Sequence, residues 1–206
     1  MRITLFGAAF DPPHLGHQAI ATSLLLNKQT DAVWIVPVKE HPFGKRLVEE
    51  EHRLAMGQLL AESIRSAVRA EKMSLSAEQL RVETYELEQS GASYTFKTLI
   101  ALSKKHPEHQ FSFVIGSDNL KTFDKWDKYQ EMLSRFPFFV YPRHGYPFEP
   151  LYQGMIPLRE MEEVRVSSTL IRERVVNELS ITDLVTPEVE SYIRQHTLYS
   201  ATDNIE

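Results

Sequence analysis

Two histidines, His14 and His17, lie one helical turn apart where a predicted strand gives way to a predicted helix. The apolar run 3–6 predicts the strand, the Asp-Pro-Pro at 11–13 predicts a loop, and residues 19–26 predict the helix. At the start of a helix, free backbone N–H groups and the helix dipole favour anions, and two imidazoles add donors that become cationic near neutral pH. The pattern therefore predicts phosphate binding. The alternative is that these residues only start and cap the helix.

A second candidate phosphate site lies at residues 166–172, with the sequence Val-Ser-Ser-Thr-Leu-Ile-Arg. A strand that ends in Val164 and Val166 is predicted to lead into an apolar-periodic helix that begins near Ser168. Three hydroxyls then face the helix start, and the guanidinium of Arg172, one turn later, can return over them. The three hydroxyls belong to Ser167, Ser168 and Thr169. The alternative is an ordinary N-cap at Ser167 and a surface arginine at 172.

A zinc site or a serine hydrolase would use the same residue types. His14 and His17 supply only two ligands, and the sequence around them offers no credible third and fourth ligand for zinc. Ser167 and Ser168 lie in no Gly-x-Ser-x-Gly turn, so they do not match a nucleophile elbow. We therefore predict no metal ligands among the residues of this site and no acyl-enzyme chemistry.

Taken together, residues 14–17 and 166–172 resemble the HxGH and ISSTxIR motifs of the nucleotidylyltransferase superfamily. Further segments are similar to the bacterial nicotinate mononucleotide adenylyltransferase family, so the resemblance spans nearly the whole chain. These segments are Ser93-Tyr94-Thr95, 113–118, Trp126 and 184–199. The resemblance implies transfer of the AMP moiety of ATP to nicotinate mononucleotide, which gives nicotinate adenine dinucleotide and pyrophosphate in NAD biosynthesis. It also implies Mg²⁺ as the cofactor that accompanies ATP.

The same resemblance implies a role for individual residues. His14, His17 and Arg172 are predicted to be catalytic, with His17 on the α-phosphate. The implied ATP-binding residues are Gly7, Ala8, Phe10, His14, His17, Gly116, Asp118, Ser167, Ser168, Thr169 and Arg172. The implied mononucleotide-binding residues are Lys45, Tyr94, Thr95 and Trp126. From the residue types alone, Asp118 suits a ribose hydroxyl or an N-cap, and Trp126 suits ring stacking or ordinary packing.

Three departures from the family pattern leave the acceptor open. Residues 7–9 read Gly-Ala-Ala instead of Gly-Gly followed by a hydroxyl residue, Lys45 stands in for the lysine of a Pro-Pro-His-Lys stretch, and Lys97 replaces a common acid. Nicotinamide mononucleotide or a phosphopantetheine-like phosphate are therefore alternative acceptors. A non-catalytic protein that senses a nucleotide is an alternative of another class.

Length and composition favour one nucleotidylyltransferase domain over residues 1–206. The chain has 206 residues, of which 42% are hydrophobic and 25% charged, so it can bury one substantial core. Short β-branched or aromatic runs alternate with helical stretches, which predicts an α/β fold with a doubly wound, mainly parallel sheet of Rossmann-like type. Ligands then bind at the carboxyl ends of the strands. The Pro- and Gly-rich stretch 141–157 is the longest predicted loop.

Charge and composition also bear on partners and location. A formal net charge of −5 provides no basic field for nucleic acid, so small-molecule substrates are the expected partners. No apolar run is long enough to cross a membrane. The sequence has no cysteine, which is compatible with a reducing compartment, so we expect a cytoplasmic protein. The sequence leaves a homo-oligomer open.

Overall fold

The computed structural model describes residues 1–40 and 46–200. Its strands are β1 (Arg2–Ala8), β2 (Ala32–Pro37), β3 (Leu80–Val82), β4 (Gln110–Gly116), β5 (Phe138–Tyr141) and β6 (Met155–Pro157). All pair in parallel, in the order β3-β2-β1-β4-β5-β6. This is the doubly wound order that was predicted, and it creates a crevice where the order reverses, beyond the carboxyl ends of β1 and β4.

Helices cover the sheet and return the chain between strands. They are α1 (Leu15–Leu26), α2 (Glu50–Ala70), α3 (Thr95–Lys105), α4 (Tyr129–Arg135), α5 (Ser168–Val176) and α6 (Pro187–Gln195), with a 3-10 helix at Ser117–Lys125. Each crossover helix runs against the strand direction, so helices that follow strands begin at the carboxyl edge of the sheet. The apolar positions of α2 are buried, as their helical spacing predicts: Met56, Leu60, Ile64 and Val68.

The core has one layer on each face of the sheet. Along each strand, successive side chains point to opposite faces, so Leu5 lies in one apolar cluster and Phe6 in the other. Trp34 and Ile35 of β2 divide in the same way. Burial on both faces explains why the central strands read as continuous apolar runs. A third cluster joins α2, α5, α6 and the segment after α6 at Tyr199.

Two predictions about the chain after β5 are wrong. The predicted strand that ends in Val164 and Val166 is reduced to an isolated bridge between Val164 and Arg143. The predicted loop 141–157 contains β6, a three-residue strand that pairs with β5. Residues 155–157 form a strand because they pair with the edge of the sheet at β5, although the local Pro and Gly content predicts a loop. No helix in the described ranges is long and apolar enough to span a membrane.

Candidate active site

The two histidines form a reciprocal cap at the start of α1. His14 occupies the N-cap position, and its Nδ1 accepts the backbone N–H of His17 at 3.3 Å. The Nδ1 of His17 accepts the backbone N–H of His14 at 3.1 Å. The two rings stack with their centroids 3.7 Å apart. The capping function that was the alternative to phosphate binding is therefore present, and it holds both rings in one fixed orientation.

Both imidazoles are neutral at physiological pH, which corrects the prediction of cationic donors. His14 and His17 are 5% and 7% exposed. Burial, followed by the positive charge of Arg143, lowers the pKa of His17 to about 3. Burial, and then the charges of His17 and Arg143, holds the pKa of His14 well below its ordinary value. Because each Nδ1 is an acceptor, the single proton of each neutral ring lies on Nε2. The pair thus offers two neutral N–H donors.

Gly16, between the histidines, is required by packing. A Cβ at this position would lie 2.5 Å from Cγ1 of Val164 and 3.0 Å from Cγ1 of Val166. The valine side chains of the segment that leads into α5 therefore pack directly on the backbone of the first turn of α1. The glycine brings together two motifs that are far apart in the sequence.

The two motifs also bond directly to each other. The guanidinium of Arg172 donates to the carbonyl of Asp11 at 2.6 Å, and the hydroxyl of Ser168 donates to the carbonyl of Pro12 at 2.8 Å. Ser167 is the N-cap of α5, and its Oγ accepts the N–H of Leu170 at 3.2 Å. The exposed Thr169 accepts a bond from Arg172 at 3.4 Å. The predicted arginine thus does return over the helix start.

Asp11 is a buried carboxylate that ties this loop to the segment after α6. Its Oδ1 accepts the hydroxyl of Tyr199 at 2.8 Å. Burial raises the pKa of Asp11, although the bond from Tyr199 and the charge of Arg172 oppose that rise. The segment after α6 therefore supports the loop that carries His14 and His17.

Tyr199→Phe is expected to lower the free energy of unfolding by about 1–3 kcal/mol, because a buried carboxylate loses its hydroxyl partner. Urea unfolding measures the change. Tyr152→Phe is the matched control, since Tyr152 lies at a half-buried position in a different apolar cluster. Equal stability of the two variants would contradict a supporting role for the bond to Asp11.

Arg143, which the sequence did not single out, lies beside the histidines. It follows β5, and its guanidinium donates to the carbonyl of Val166 at 2.9 Å. Its Nε lies 3.8 Å from Oδ1 of Asp118. Its backbone N–H donates to Ser117 at 2.9 Å, which connects the ends of β4 and β5. The only sequence signal was a basic residue two positions after a buried strand, at the edge of the sheet where the crevice lies.

Two predicted ATP-binding glycines are tightly packed. A Cβ on Gly7 would lie 2.7 Å from the ring of Phe113. A Cβ on Gly116 would lie 2.2 Å from Oδ1 of Asp118 and 2.9 Å from Cγ of Arg143. Gly116 therefore gives room to the Asp118–Arg143 pair. No side chain caps the 3-10 helix that begins here, so Asp118 does not serve as its N-cap.

Residues 8–10 lie at the carboxyl end of β1 and in the loop directly after it. Phe10 is 1% exposed and packs against Phe6 and His17, with ring centroids 5.8 and 5.0 Å away. Only its main chain is therefore left for a ligand. The buried Arg53 of α2 donates to the carbonyls of Ala9, Val38, Lys39 and Val48. This second unpredicted arginine fixes the loops after β1 and β2.

The predicted mononucleotide residues lie on two other elements of the carboxyl edge. Tyr94, 41% exposed, is the N-cap residue of α3, and Thr95 is its first residue. The ammonium of Lys97 lies 5.0 Å from the centre of the Tyr94 ring. Trp126 is half-buried against Phe123, with ring centroids 5.1 Å apart, so it has both a packed and an open part. Lys45 lies outside the described residues.

Glu86 supports the first turn of α3, and the sequence did not single it out. Thr98 donates to its Oε1 at 2.6 Å. Burial raises the pKa of this carboxyl, although hydrogen bonds from Thr98 and Ser93 oppose the rise. Ser93 in turn accepts the backbone N–H of Lys39 at 3.0 Å. The chain before Tyr94 is thus tied to the loop after β2.

Comparisons with known proteins identify the family and support the fold. The Cytidylyltransferase-like family model matches residues 5–174. The probable nicotinate-nucleotide adenylyltransferase of Halalkalibacterium halodurans is 36% identical over 205 residues, which cover 98% of this chain and 93% of that protein. The nicotinate-nucleotide adenylyltransferase of Bacillus subtilis is 31% identical over 202 residues, or 97% of this chain and 99% of that one. The structure of Plasmodium falciparum nicotinic acid mononucleotide adenylyltransferase complexed with NaAD has a TM-score of 0.75 at 21% identity, with 96% and 97% of the two chains covered.

Proposed function

Because the chain belongs to the nicotinate-nucleotide adenylyltransferase family, we propose that it transfers the adenylyl group of ATP to nicotinate mononucleotide and releases pyrophosphate. One observation carries the proposal from the structure. The neutral imidazoles of His14 and His17 lie together with two arginines, Arg143 and Arg172, beyond the carboxyl ends of β1 and β4. We treat residues 1–206 as one nucleotidylyltransferase domain.

The reaction needs alignment and charge stabilisation more than a base. A phosphate oxygen of the mononucleotide attacks the α-phosphorus of ATP, and the new P–O bond forms as the bond to the pyrophosphate oxygen breaks. The bonding pair leaves with pyrophosphate. The attacking phosphate is already ionised, so donors that stabilise the developing charge are sufficient. Neutral Nε2–H groups on His14 and His17 fit this requirement, since they donate without taking a proton.

The phosphates of ATP divide between the two motifs in this proposal. His14 and His17 bind the α-phosphate, while Arg172 and the start of α5 bind the β- and γ-phosphates. The hydroxyl of Ser168 already donates to Pro12, so Ser168 contributes its backbone N–H. Ser167 and Thr169 accept bonds in the structure and keep their own O–H for a phosphate oxygen. Asp118 accepts from a ribose hydroxyl of ATP.

Mg²⁺ is proposed to enter with ATP as part of the substrate. In the described ranges, no group of three or more potential metal ligands lies at this edge of the sheet. The carboxylates of the described site are those of Asp11, which is bonded to Tyr199, and Asp118, which lies beside Arg143. Phosphate oxygens and water would therefore supply most of the coordination, as is common for this ion.

The pyridine end of the acceptor is assigned to the other half of the crevice. The start of α3 at Tyr94 and Thr95 presents backbone N–H groups to the pyridine carboxylate. The open part of Trp126 stacks on the pyridine ring. The ammonium of Lys97 over Tyr94 adds a positive charge that a carboxylate favours and a carboxamide does not. Lys45 is proposed to meet the mononucleotide phosphate.

Trp126→Ala is expected to raise the KM for nicotinate mononucleotide about tenfold while kcat changes little, because stacking acts in the ground state and the transition state alike. Steady-state kinetics at saturating ATP measure both constants. Trp126→Phe keeps a ring and serves as the matched control, with a KM between those of the other two proteins. A fall in kcat at unchanged KM would contradict the stacking role.

The proposed function is tested by pyrophosphate release with ATP and Mg²⁺ against three acceptors, with the mass of each product confirmed. Strong preference for nicotinate mononucleotide supports the proposal. Preference for nicotinamide mononucleotide or phosphopantetheine would keep adenylyl transfer and change the acceptor. No pyrophosphate release with any of the three acceptors, together with measurable ATP binding, would favour a nucleotide sensor.

A further inference from the structure

Two imidazoles and two carboxylates meet at the amino edge of the sheet, opposite the candidate active site. His106 is the C-cap residue of α3, and Glu108 and His109 lie in the turn before β4. Glu78 lies in the segment before β3. We call these four residues the amino-edge cluster. The seven residues of β4 separate it from Gly116 by about 20 Å, so it is distinct from the nucleotide site.

The spacing of the cluster is that of a metal coordination shell. Oε1 of Glu108 lies 3.8 Å from Nδ1 of His106 and 3.3 Å from Nε2 of His109. The same nitrogen of His109 lies 3.5 Å from Oε1 of Glu78. Ligand atoms placed 2.0–2.2 Å from a tetrahedral zinc ion stand about 3.4 Å from one another. The ligand atoms of His106, Glu108 and His109 all lie within 4.8 Å of one another.

The imidazoles are held in place before any ion binds. The side chain of His109 is 7% exposed, and the rings of His106 and His109 are parallel to within 7°. Both rings meet Trp34 edge-on, at centroid distances of 5.3 and 6.2 Å. The indole N–H of Trp34 also donates to the carbonyl of Glu78 at 2.9 Å, so one tryptophan positions both sides of the cluster. The ligand geometry is thus largely preorganised.

The remaining nitrogens of the two rings point away from the carboxylates. Nε2 of His106 and Nδ1 of His109 are buried and have no hydrogen-bond partner among the described residues. The nitrogens nearest the carboxylates are therefore the ones available to an ion. The carboxylate side chains are about three-fifths exposed and can adjust to its position. Imidazole with carboxylate is a donor set that suits Zn²⁺, Co²⁺ or Ni²⁺ better than Mg²⁺ or Ca²⁺.

We propose that the amino-edge cluster binds one transition-metal dication. Nδ1 of His106, Nε2 of His109 and a carboxylate oxygen of Glu108 are the ligands, and Glu78 becomes the fourth after a small rotation of its side chain. The ion joins the turn before β4 to the segment before β3. It stabilises the folded state by binding it selectively and takes no part in adenylyl transfer.

Zn²⁺ titrated into metal-free protein without nucleotide tests the site. Isothermal titration calorimetry should show one bound Zn²⁺, and Tm should rise with Zn²⁺ concentration. Co²⁺ should give the visible absorption of a four-coordinate ion. Glu108→Gln and His106→Gln should each weaken Zn²⁺ binding by at least about tenfold. His144→Ala is the matched control, because the exposed His144 has a carboxylate partner, Glu163 at 3.0 Å, but lies outside the cluster.

The exposed position of Glu108 keeps the test decisive if His106→Gln fails to fold. Zn²⁺ affinity of Glu108→Gln equal to that of the wild type would overturn the proposal, and so would absence of Zn²⁺ binding by the wild type. Adenylyl transfer with Mg²⁺ and ATP should be the same in Glu108→Gln and wild type. Failure of the proposed function and failure of this site are therefore distinguishable.

Discussion

His17→Ala is expected to lower kcat by about a hundredfold or more, because it removes a fixed donor from the α-phosphate as charge develops there. His17 lies against Phe6 and Phe10, and its Nδ1 caps His14, so its distal N–H is held in one position. A donor fixed in this way needs no reorganisation when the transition state forms. Quenched-flow measurement of the chemical step separates this loss from slow product release.

Two further substitutions separate catalysis from helix capping at His17. Asn retains an acceptor near the position of Nδ1 but does not reach the site, whereas Gln retains an N–H near the position of Nε2. We expect Gln to restore more of kcat than Asn. Because the pKa of His17 in the free protein is about 3, its neutral form persists above that pH, and this residue should add no ionisation to the kcat/KM profile near neutrality. Unchanged kinetics in His17→Ala, or a greater rescue by Asn, would remove His17 from the mechanism.

Arg143→Ala is expected to lower kcat/KM by about a hundredfold or more, because its guanidinium is a permanent positive charge beside both imidazoles. The bond to the carbonyl of Val166 and the proximity of Asp118 hold it towards the crevice. A preorganised charge of this kind stabilises a transferring phosphoryl group more than the ground state. Steady-state kinetics with ATP varied measure the loss.

Arg143→Lys keeps the charge and loses the planar fork, so its activity should fall between those of the wild type and Arg143→Ala. Arg135→Ala is the matched control, since Arg135 is an exposed arginine paired with Glu131 on α4. Loss of the charge should also raise the pKa of the His17 imidazole, which NMR titration of the ring measures. A wild-type rate in Arg143→Ala would show that Arg143 only shapes the loop after β5.

The family and the fold class were both predicted from the sequence and are confirmed. The strands could be predicted from the sequence because buried parallel strands appear in it as continuous apolar runs. The start of α1 could be predicted because a helix cap uses residues three positions apart, which is the spacing of His14 and His17. The assignments of individual residues to ATP and to the mononucleotide stay predictions.

The charge state of the site was decided by tertiary structure. A histidine in a sequence has an ordinary pKa near 6.5, and only burial and a neighbouring charge from another loop make it neutral. Arg143 and Arg53 became recognisable only when the ends of β1, β2 and β5 came together at one edge of the sheet.

The sequence by itself therefore determined the local motifs, the order of the main elements and the chemistry available at each position. The tertiary structure decided which of these groups meet: Asp11 with Tyr199, Arg172 with the loop before α1, and Glu78 with His109. The physical reason is the distance along the chain between the residues that interact. Helix caps and strand patterns depend on neighbours along the chain, whereas burial, charge proximity and ligand geometry depend on residues that only packing brings together.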